Sequence, residues 1–284
     1  MKTETFHLEF ITPCFSGGAE SSRAELRPAE IRGQLRWWFR HLGGTPDQER
    51  AVFGGVHGDN PAASTLIVRG RIIPQTGQRD WFDNTKIPRG GVGNRTYLLG
   101  FFCGRTNRLQ ASGALPPKSK AEITLVFRRP PTPKLEQAIR VFFSIGAMGF
   151  RATRTAGAFF TQEHALTAGS WTRLAEELHR AGFKTALLPH TFADWVAVCE
   201  AAGALLKQKL RSELGISAGK NGTSPNALGS ATPRQASVVH LRPVMIDQKL
   251  RLALLEAPHQ RILGPEARRA HGARGSIIQL AHLH

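Results

Sequence analysis

The chain has 284 residues, 38 of them Lys or Arg against 21 Asp or Glu, and a formal net charge of +17. With 41% hydrophobic and only 21% charged residues, it is too apolar for a basic disordered tail, so the excess charge rides on folded structure and calls for a polyanionic partner. No apolar run reaches the roughly 18 residues of a membrane helix, and Met1-Lys2-Thr3-Glu4 has no apolar signal core, so the expectation is a cytoplasmic protein with no membrane partner. Cys14, Cys103 and Cys199 stand apart with no C-x-x-C pair, which argues against a disulfide framework or a structural zinc and for reduced packing residues.

Thr5 to Ile11 alternate in polarity and predict a half-buried strand, ended by Thr12-Pro13. A loop with Ser16-Gly17-Gly18 follows, and Arg27-Pro28 opens a helix that runs to about Leu42 and stops at Gly43-Gly44. At 100° per residue Ile31, Leu35, Trp38, Phe39 and Leu42 share one face, while Arg32, Arg36 and Arg40 form a stripe along its flank. No acid lies at i±4 to pair with that stripe, so the expectation is an outward-facing, unneutralised track of arginines. Ser64 to Ile73 and Ala121 to Arg128 read as further strands. Pro130-Pro131-Thr132-Pro133 then opens a second helix, capped by Thr132, with Leu135, Ile139, Phe142 and Phe143 on its apolar face.

That helix gives way to Gly146-Ala147-Met148-Gly149-Phe150-Arg151-Ala152-Thr153-Arg154-Thr155-Ala156-Gly157. Glycines that admit a close anion, interleaved with the guanidinium forks of Arg151 and Arg154, suit a phosphate backbone; helix capping alone is the competing use of Gly146 and Gly149. A strand at Ala158 to Thr161 completes the order strand, helix, strand, strand, helix, strand. This is the ferredoxin-like pattern shared with RNA-recognition sheets. Residues 74–120 are too long for an ordinary connection and read as an insertion. The insertion holds Lys86, Arg89, Arg95, Tyr97, Arg105 and Arg108, which would clamp nucleic acid, or else it packs on a neighbour through Leu98, Leu99, Phe101 and Phe102.

Two stretches resemble a known family. Ile11-Thr12-Pro13-Cys14-Phe15-Ser16-Gly17-Gly18, continued by Glu25-Leu26-Arg27-Pro28-Ala29-Glu30-Ile31-Arg32-Gly33-Gln34-Leu35-Arg36-Trp37-Trp38-Phe39-Arg40, is similar to the strand, glycine loop and first helix of the RAMP superfamily of CRISPR proteins. Within that superfamily it resembles the first-numbered subunit of type III-B (Cmr) effector complexes. Gly146, Met148, Gly149, Arg151, Arg154 and Gly157 resemble its glycine-rich loop. The resemblance implies a non-catalytic subunit that holds the 3′ region of a guide RNA and the matching target RNA, beside other RAMP subunits, with no cofactor. It implies tandem ferredoxin-like domains, here 1–165 with the insertion 74–120 and 166–284 with a loop at 215–233. The RNA-contacting residues would be Gly17, Gly18, Arg27, Arg32, Arg36, Arg40, Arg89, Arg95, Gly146, Gly149, Arg151, Arg154 and Gly157, reading backbone and shape rather than sequence.

In the second half, Trp171 to Phe183 and Thr191 to Leu214 predict amphipathic helices, the latter with Lys207, Lys209 and Arg211 near its negative end. Ser237 to Ile246, Leu250 to Glu256 and Ser276 to Leu280 are strand candidates, so the bare sequence gives an α+β domain. The alternative function is a metal-independent RAMP endoribonuclease that processes precursor guide RNA. His41 would be its acid-base group, with Tyr97 and Lys86 as assistants; the simpler reading of His41 is a solvated histidine at the helix's negative end. Metal-dependent cleavage would fall to Asp59, Asp80 and Asp83, which have no metal-ligand grouping.

Overall fold

A computed structural model describes residues 1–17, 23–56, 61–74, 93–99, 114–213, 226–229, 235–271 and 275–281. The elements in order are β1 (Lys2–Phe10), α1 (Pro28–His41), α2 (Pro46–Phe53), β2 (Leu66–Ile73), α3 (Asn94–Leu99), β3 (Lys120–Phe127), α4 (Pro133–Ile145) and β4 (Phe159–Thr161). They continue with α5 (Ala168–Arg180), β5 (Lys184–Leu187), α6 (Trp195–Ala204), a π-helical stretch Leu205–Leu210, α7 (Arg211–Glu213), β6 (Val239–Ile246), β7 (Lys249–Glu256), α8 (His259–Ile262), α9 (Pro265–His271) and α10 (Ile277–Leu280). The chain divides into two compact units. One gathers β1 to β2, residues 114–150 and Ala156–Leu166; the other gathers α3, Arg151–Thr155 and the chain from Thr167 onward.

The first unit is a ferredoxin-like sheet in the order β2-β3-β1-β4, every neighbouring pair antiparallel. Alternation decides its faces: Phe6, Leu8 and Phe10 of β1 and Ala121, Ile123 and Leu125 of β3 are buried on the side of the helices. There the Phe6 and Phe143 rings stack at 3.7 Å, and Phe142 meets Phe159 edge-on at 5.3 Å. α4 starts where Thr132 accepts from the Leu135 amide at 3.3 Å and Pro133 fills the first turn, as the sequence predicts.

The second unit holds a three-stranded antiparallel sheet in the order β5-β7-β6. β6 and β7 form a hairpin turning at Asp247 and Gln248, both with positive φ (48° and 59°), as a tight two-residue turn requires. Two expectations are corrected here. The helix predicted over 191–214 begins at Trp195 behind the cap Asp194 and widens into π-helix after Ala204. Ala202, Leu206 and Leu210 are all buried and recur every four residues; ordinary 3.6-residue turns would rotate that row away from one side, and wider turns keep it there. Ser276 to Leu280 is not a strand: Ser276 caps α10 by accepting from the Gln279 amide at 3.3 Å.

The insertion 74–120 also carries regular structure, α3, whose Leu98 and Leu99 are buried and which packs on α6 within the second unit.

Candidate nucleic-acid interface

The arginine stripe of α1 is placed as its periodicity requires, but it is not unneutralised. Helix α2, started by a capping box at Thr45 and Gln48, brings Glu49 against the stripe. Arg36 Nε donates to Glu49 Oε1 at 2.9 Å and Arg36 Nη2 at 2.5 Å; Arg40 Nε donates to Oε2 and Arg40 Nη2 to Oε1, the latter at 2.6 Å. Arg32 donates to the Phe53 carbonyl at the end of α2. The hydrogen bond from Arg40 holds the Glu49 carboxyl below its ordinary value against the opposing effect of burial, and Arg36 adds to it. The expectation of an unpaired track fails because the acid comes from another helix, α2. The stripe is the seam between α1 and α2, and the Arg36 and Arg40 side chains remain 38% and 56% exposed.

The glycine-rich loop is built differently. Gly146 and Gly157 are buried. A Cβ on Gly146 would lie 2.2 Å from the Phe142 carbonyl oxygen, and one on Gly157 would lie 1.7 Å from that of Met148. The Gly157 amide donates to Pro13 O at 2.7 Å, and Met148 N donates to Gly157 O at 3.0 Å. Gly149 has φ +84°, and its amide donates to the Glu30 carboxylate. The close approach these glycines permit is therefore to the protein's own backbone, and the amides of Gly149 and Gly157 are committed inside it.

Arg154 is corrected most. It is buried at 8% exposure, and its guanidinium donates to the carbonyls of Val239, at 3.2 Å, and Leu228. On either side of it Thr155 N donates to Leu241 O and Leu241 N donates to Thr153 O, both at 3.1 Å. Thr153 to Thr155 thus add a short parallel segment to the edge of β6, and Arg154 anchors it. Arg151 is half-buried, with φ +65°.

Glu30 ties this loop to the start of α1. Its carboxylate accepts from Gly149, and the single Ser16 Oγ proton is shared between it and Glu25 O, 2.5 Å away. Phe150 N donates to Phe15 O at 2.9 Å, yet the Phe150 side chain turns outward, 52% exposed. Beside α1's first turn a shallow cavity of about 330 Å³ is lined by Arg23, Leu26, Arg27, Gly70 and Ile72, among others. Arg23 and Arg27 are exposed, with no ion-pair partner among the described residues. Arg27 is one of the candidates drawn from the sequence, whereas the exposed Arg23 is not.

Of the other candidates, Gly17 bridges to Ala24. Gly18, Arg89, Lys86, Asp59, Asp80, Asp83 and Cys103 lie outside the described residues, and of Arg95 and Tyr97 only the α3 backbone is described. His41 is not the solvated group expected. It is buried, its ring stacks on Trp37 at 4.1 Å, and its Nδ1 lies 2.6 Å from Trp37 O. Cys14 and Cys199 are buried and unoxidised.

The open face of the first sheet is not a stacking platform on its central strands: β1 places Thr3, Thr5, His7 and Glu9 there and β3 places Lys120, Glu122, Thr124 and Val126. No helix among the described residues is long and apolar enough to cross a membrane, and no group of three metal-ligating side chains occurs among them.

Fold and surface together define an α+β protein with a ferredoxin-like unit and a basic face at the start of its first helix. Residues 7–159, just over half the chain, match the RAMP superfamily model, and the chain belongs to that family. The CRISPR system Cmr subunit Cmr1-2 of Pyrococcus furiosus is 32% identical over 95 residues, 29% of this chain and 50% of that protein, so the match spans half of the curated relative. The crystal structure of Cmr1 from Pyrococcus furiosus in its apo form superposes with a TM-score of 0.60 at 15% identity, over 90% of this chain and 88% of that one. A cryo-EM structure of the type III-B Cmr-beta bound to cognate target RNA gives 0.56 at 11% identity, over 98% and 99% of the two chains. Likenesses at such identities are of fold.

Proposed function

We propose that this chain is a non-catalytic RNA-binding subunit of a type III-B CRISPR effector complex, with a guide RNA, a target RNA and neighbouring RAMP subunits as its partners. The observation that carries this reading is the basic face at the start of α1, where exposed Arg23 and Arg27 border a shallow cavity on a chain with net charge +17. Arg36 and Arg40, whose side chains stay 38% and 56% exposed, extend the basic surface along the helix. Arginines presented this way hold phosphates without reading bases, which suits a subunit that accepts any guide. The family and the folds it resembles support the same assignment, and by that likeness the RNA segment would be the guide's 3′ region with the target opposite.

The endoribonuclease alternative would rest on His41, whose ring is stacked on Trp37 and buried rather than presented to a substrate. Labelled single-stranded and guide-length RNA titrated with the purified chain, with and without Mg²⁺, tests the reading. Binding that weakens steeply with salt, with intact RNA recovered, is the expected result. Cleavage abolished by His41→Ala would replace it.

A further inference from the structure

We propose that the N-terminal half of β1 is a docking edge for an extended peptide strand of another protein. The main chain of that strand continues the line of β4, and its side chain opposite Glu4 seats in the cleft between β1 and α4. The proposal uses none of the residues of the basic face and stands whether or not the chain binds RNA.

β1 is bonded unequally on its two sides. Toward β3 its register runs unbroken from Lys2 to Glu9, whereas toward β4 it covers only Leu8 to Phe10. Phe10 N donates to Ser119 O on the β3 side and His7 N to the Glu163 carboxylate on the other, so even residues bond toward β3 and odd ones toward the open edge. Glu163, just past the end of β4, takes the His7 amide at 3.2 Å. Beyond it, the open-edge amides and carbonyls of Thr3 and Thr5 have no hydrogen-bond partner among the described residues. No proline or bulge interrupts this edge, and such a row of main-chain groups is a template for a further strand.

A hydrated edge alone would be ordinary. What singles this one out is a cleft of about 400 Å³ beside it, lined by Glu4 and Phe6 of β1, Glu136, Ile139 and Arg140 of α4 and His164 just past β4, among others. With walls from those three places, it lies where a longer β4 would run. Its floor is apolar: Phe6 and Ile139 are only 5% and 4% exposed, and the His164 ring stacks on Phe6 at 5.7 Å. Successive side chains of a strand alternate faces, so a strand bonded to Thr3 and Thr5 would turn the residue opposite Glu4 to the helix side and into this cleft.

Charge decides the class of occupant. Glu4 is paired with Lys2 at 2.7 Å, Glu136 and Arg140 place one charge of each sign on α4, and burial lowers the His164 pKa so that its ring is neutral. On a chain of net charge +17, this cleft carries no excess of cations. An uncharged main chain is matched to it. A phosphate backbone would find nothing there to replace its counterions.

The test uses the full chain and, as probe, a fluorescein-labelled peptide alternating threonine and leucine, N-methylated along one edge so that it cannot stack on itself. In the free chain the Thr3 and Thr5 amides are expected to exchange with solvent far faster than those of Glu4 and Phe6, which bond toward β3. Bound probe should slow Thr3 and Thr5 to match. Thr5→Pro removes a donor from the open edge and leaves the β3 ladder its bonds, so the melting temperature should hardly move while the probe binds about tenfold more weakly. Thr3→Pro should behave the same way, and Thr5→Ala, which keeps the amide, should bind as wild type does.

Slow exchange at Thr3 and Thr5 in the free chain, or a millimolar probe that leaves them unprotected, overturns the docking edge. So does a folded Thr5→Pro chain that binds the probe as tightly as wild type. A free chain that is dimeric and becomes monomeric on Thr5→Pro would give the edge to a second copy, and RNA that displaces the probe would give it to RNA. Either result overturns the peptide assignment.

Discussion

Arg36 and Arg40 on α1 share the carboxylate of Glu49 and still keep a third to a half of their side chains in solvent, whereas Arg154 in the glycine-rich loop is buried and spends its guanidinium on two main-chain carbonyls. In the sequence the two groups look alike, basic residues beside helices and glycines. In the fold they carry different loads. The first sits on a helix flank, where Arg36 and Arg40 share one carboxylate and stay partly in solvent. The second sits where a short segment joins the edge of β6, and there a long side chain with five donors reaches the carbonyls of Leu228 and Val239. Exposure and partners, not the presence of arginine, separate the two groups.

The sharpest way to break this contrast is at the loop's scaffold. Gly157→Val would place its side chain on the Met148 carbonyl, and we expect a loss of about 3 kcal/mol or more, read by thermal or urea unfolding. Arg154→Ala is expected to cost about 2 kcal/mol by removing the guanidinium donor of the Leu228 carbonyl and one of the donors of Val239 O, which keeps Ser237 Oγ; a stability unchanged within error would return Arg154 to the surface. Arg36→Ala and Arg40→Ala should do the opposite, with unfolding moved by about 1 kcal/mol or less and RNA affinity lowered severalfold.

Glu49→Gln sharpens the contrast from the other side. It removes the carboxylate that competes with phosphate for Arg36 and Arg40, so RNA affinity should rise a few-fold, with a cost near 1 kcal/mol to the fold. The smallest effect is in pH. Because Arg40 and Arg36 hold the Glu49 carboxyl below its ordinary value of 4.5, its stabilising contribution is complete above that value and is lost as pH falls through the lower folded value. Melting temperatures of wild type should drop more steeply over that acidic window than those of Glu49→Gln.

Much of the first unit was legible. Period-two alternation at Phe6, Leu8 and Phe10 and the Ile31, Leu35, Trp38, Phe39 face state their own burial, and Thr132-Pro133 announces α4. The capping box at Thr45-Pro46-Asp47-Gln48 was equally legible as the start of α2, and reading it would have drawn attention to Glu49. What periodicity does not carry is which elements meet. That Glu49 crosses to α1, that Arg154 turns inward to β6, and that Phe150 is left outside are tertiary facts fixed by backbone pairing between residues far apart in the chain. The glycines were informative for a reason other than the one expected: they allow the chain to pack against itself.

The salt dependence of RNA affinity tests the central claim most directly, because an inactive fraction shifts the apparent affinity but not the slope. Wild type, the double variant Arg23→Ala/Arg27→Ala and Arg154→Met should be titrated with single-stranded RNA across a range of salt. The basic face at α1 predicts that the double variant loses about 1.4 from the slope, roughly 0.7 for each phosphate contact, and that Arg154→Met keeps the wild-type slope. An unchanged slope in the double variant with a reduced one in Arg154→Met would contradict it.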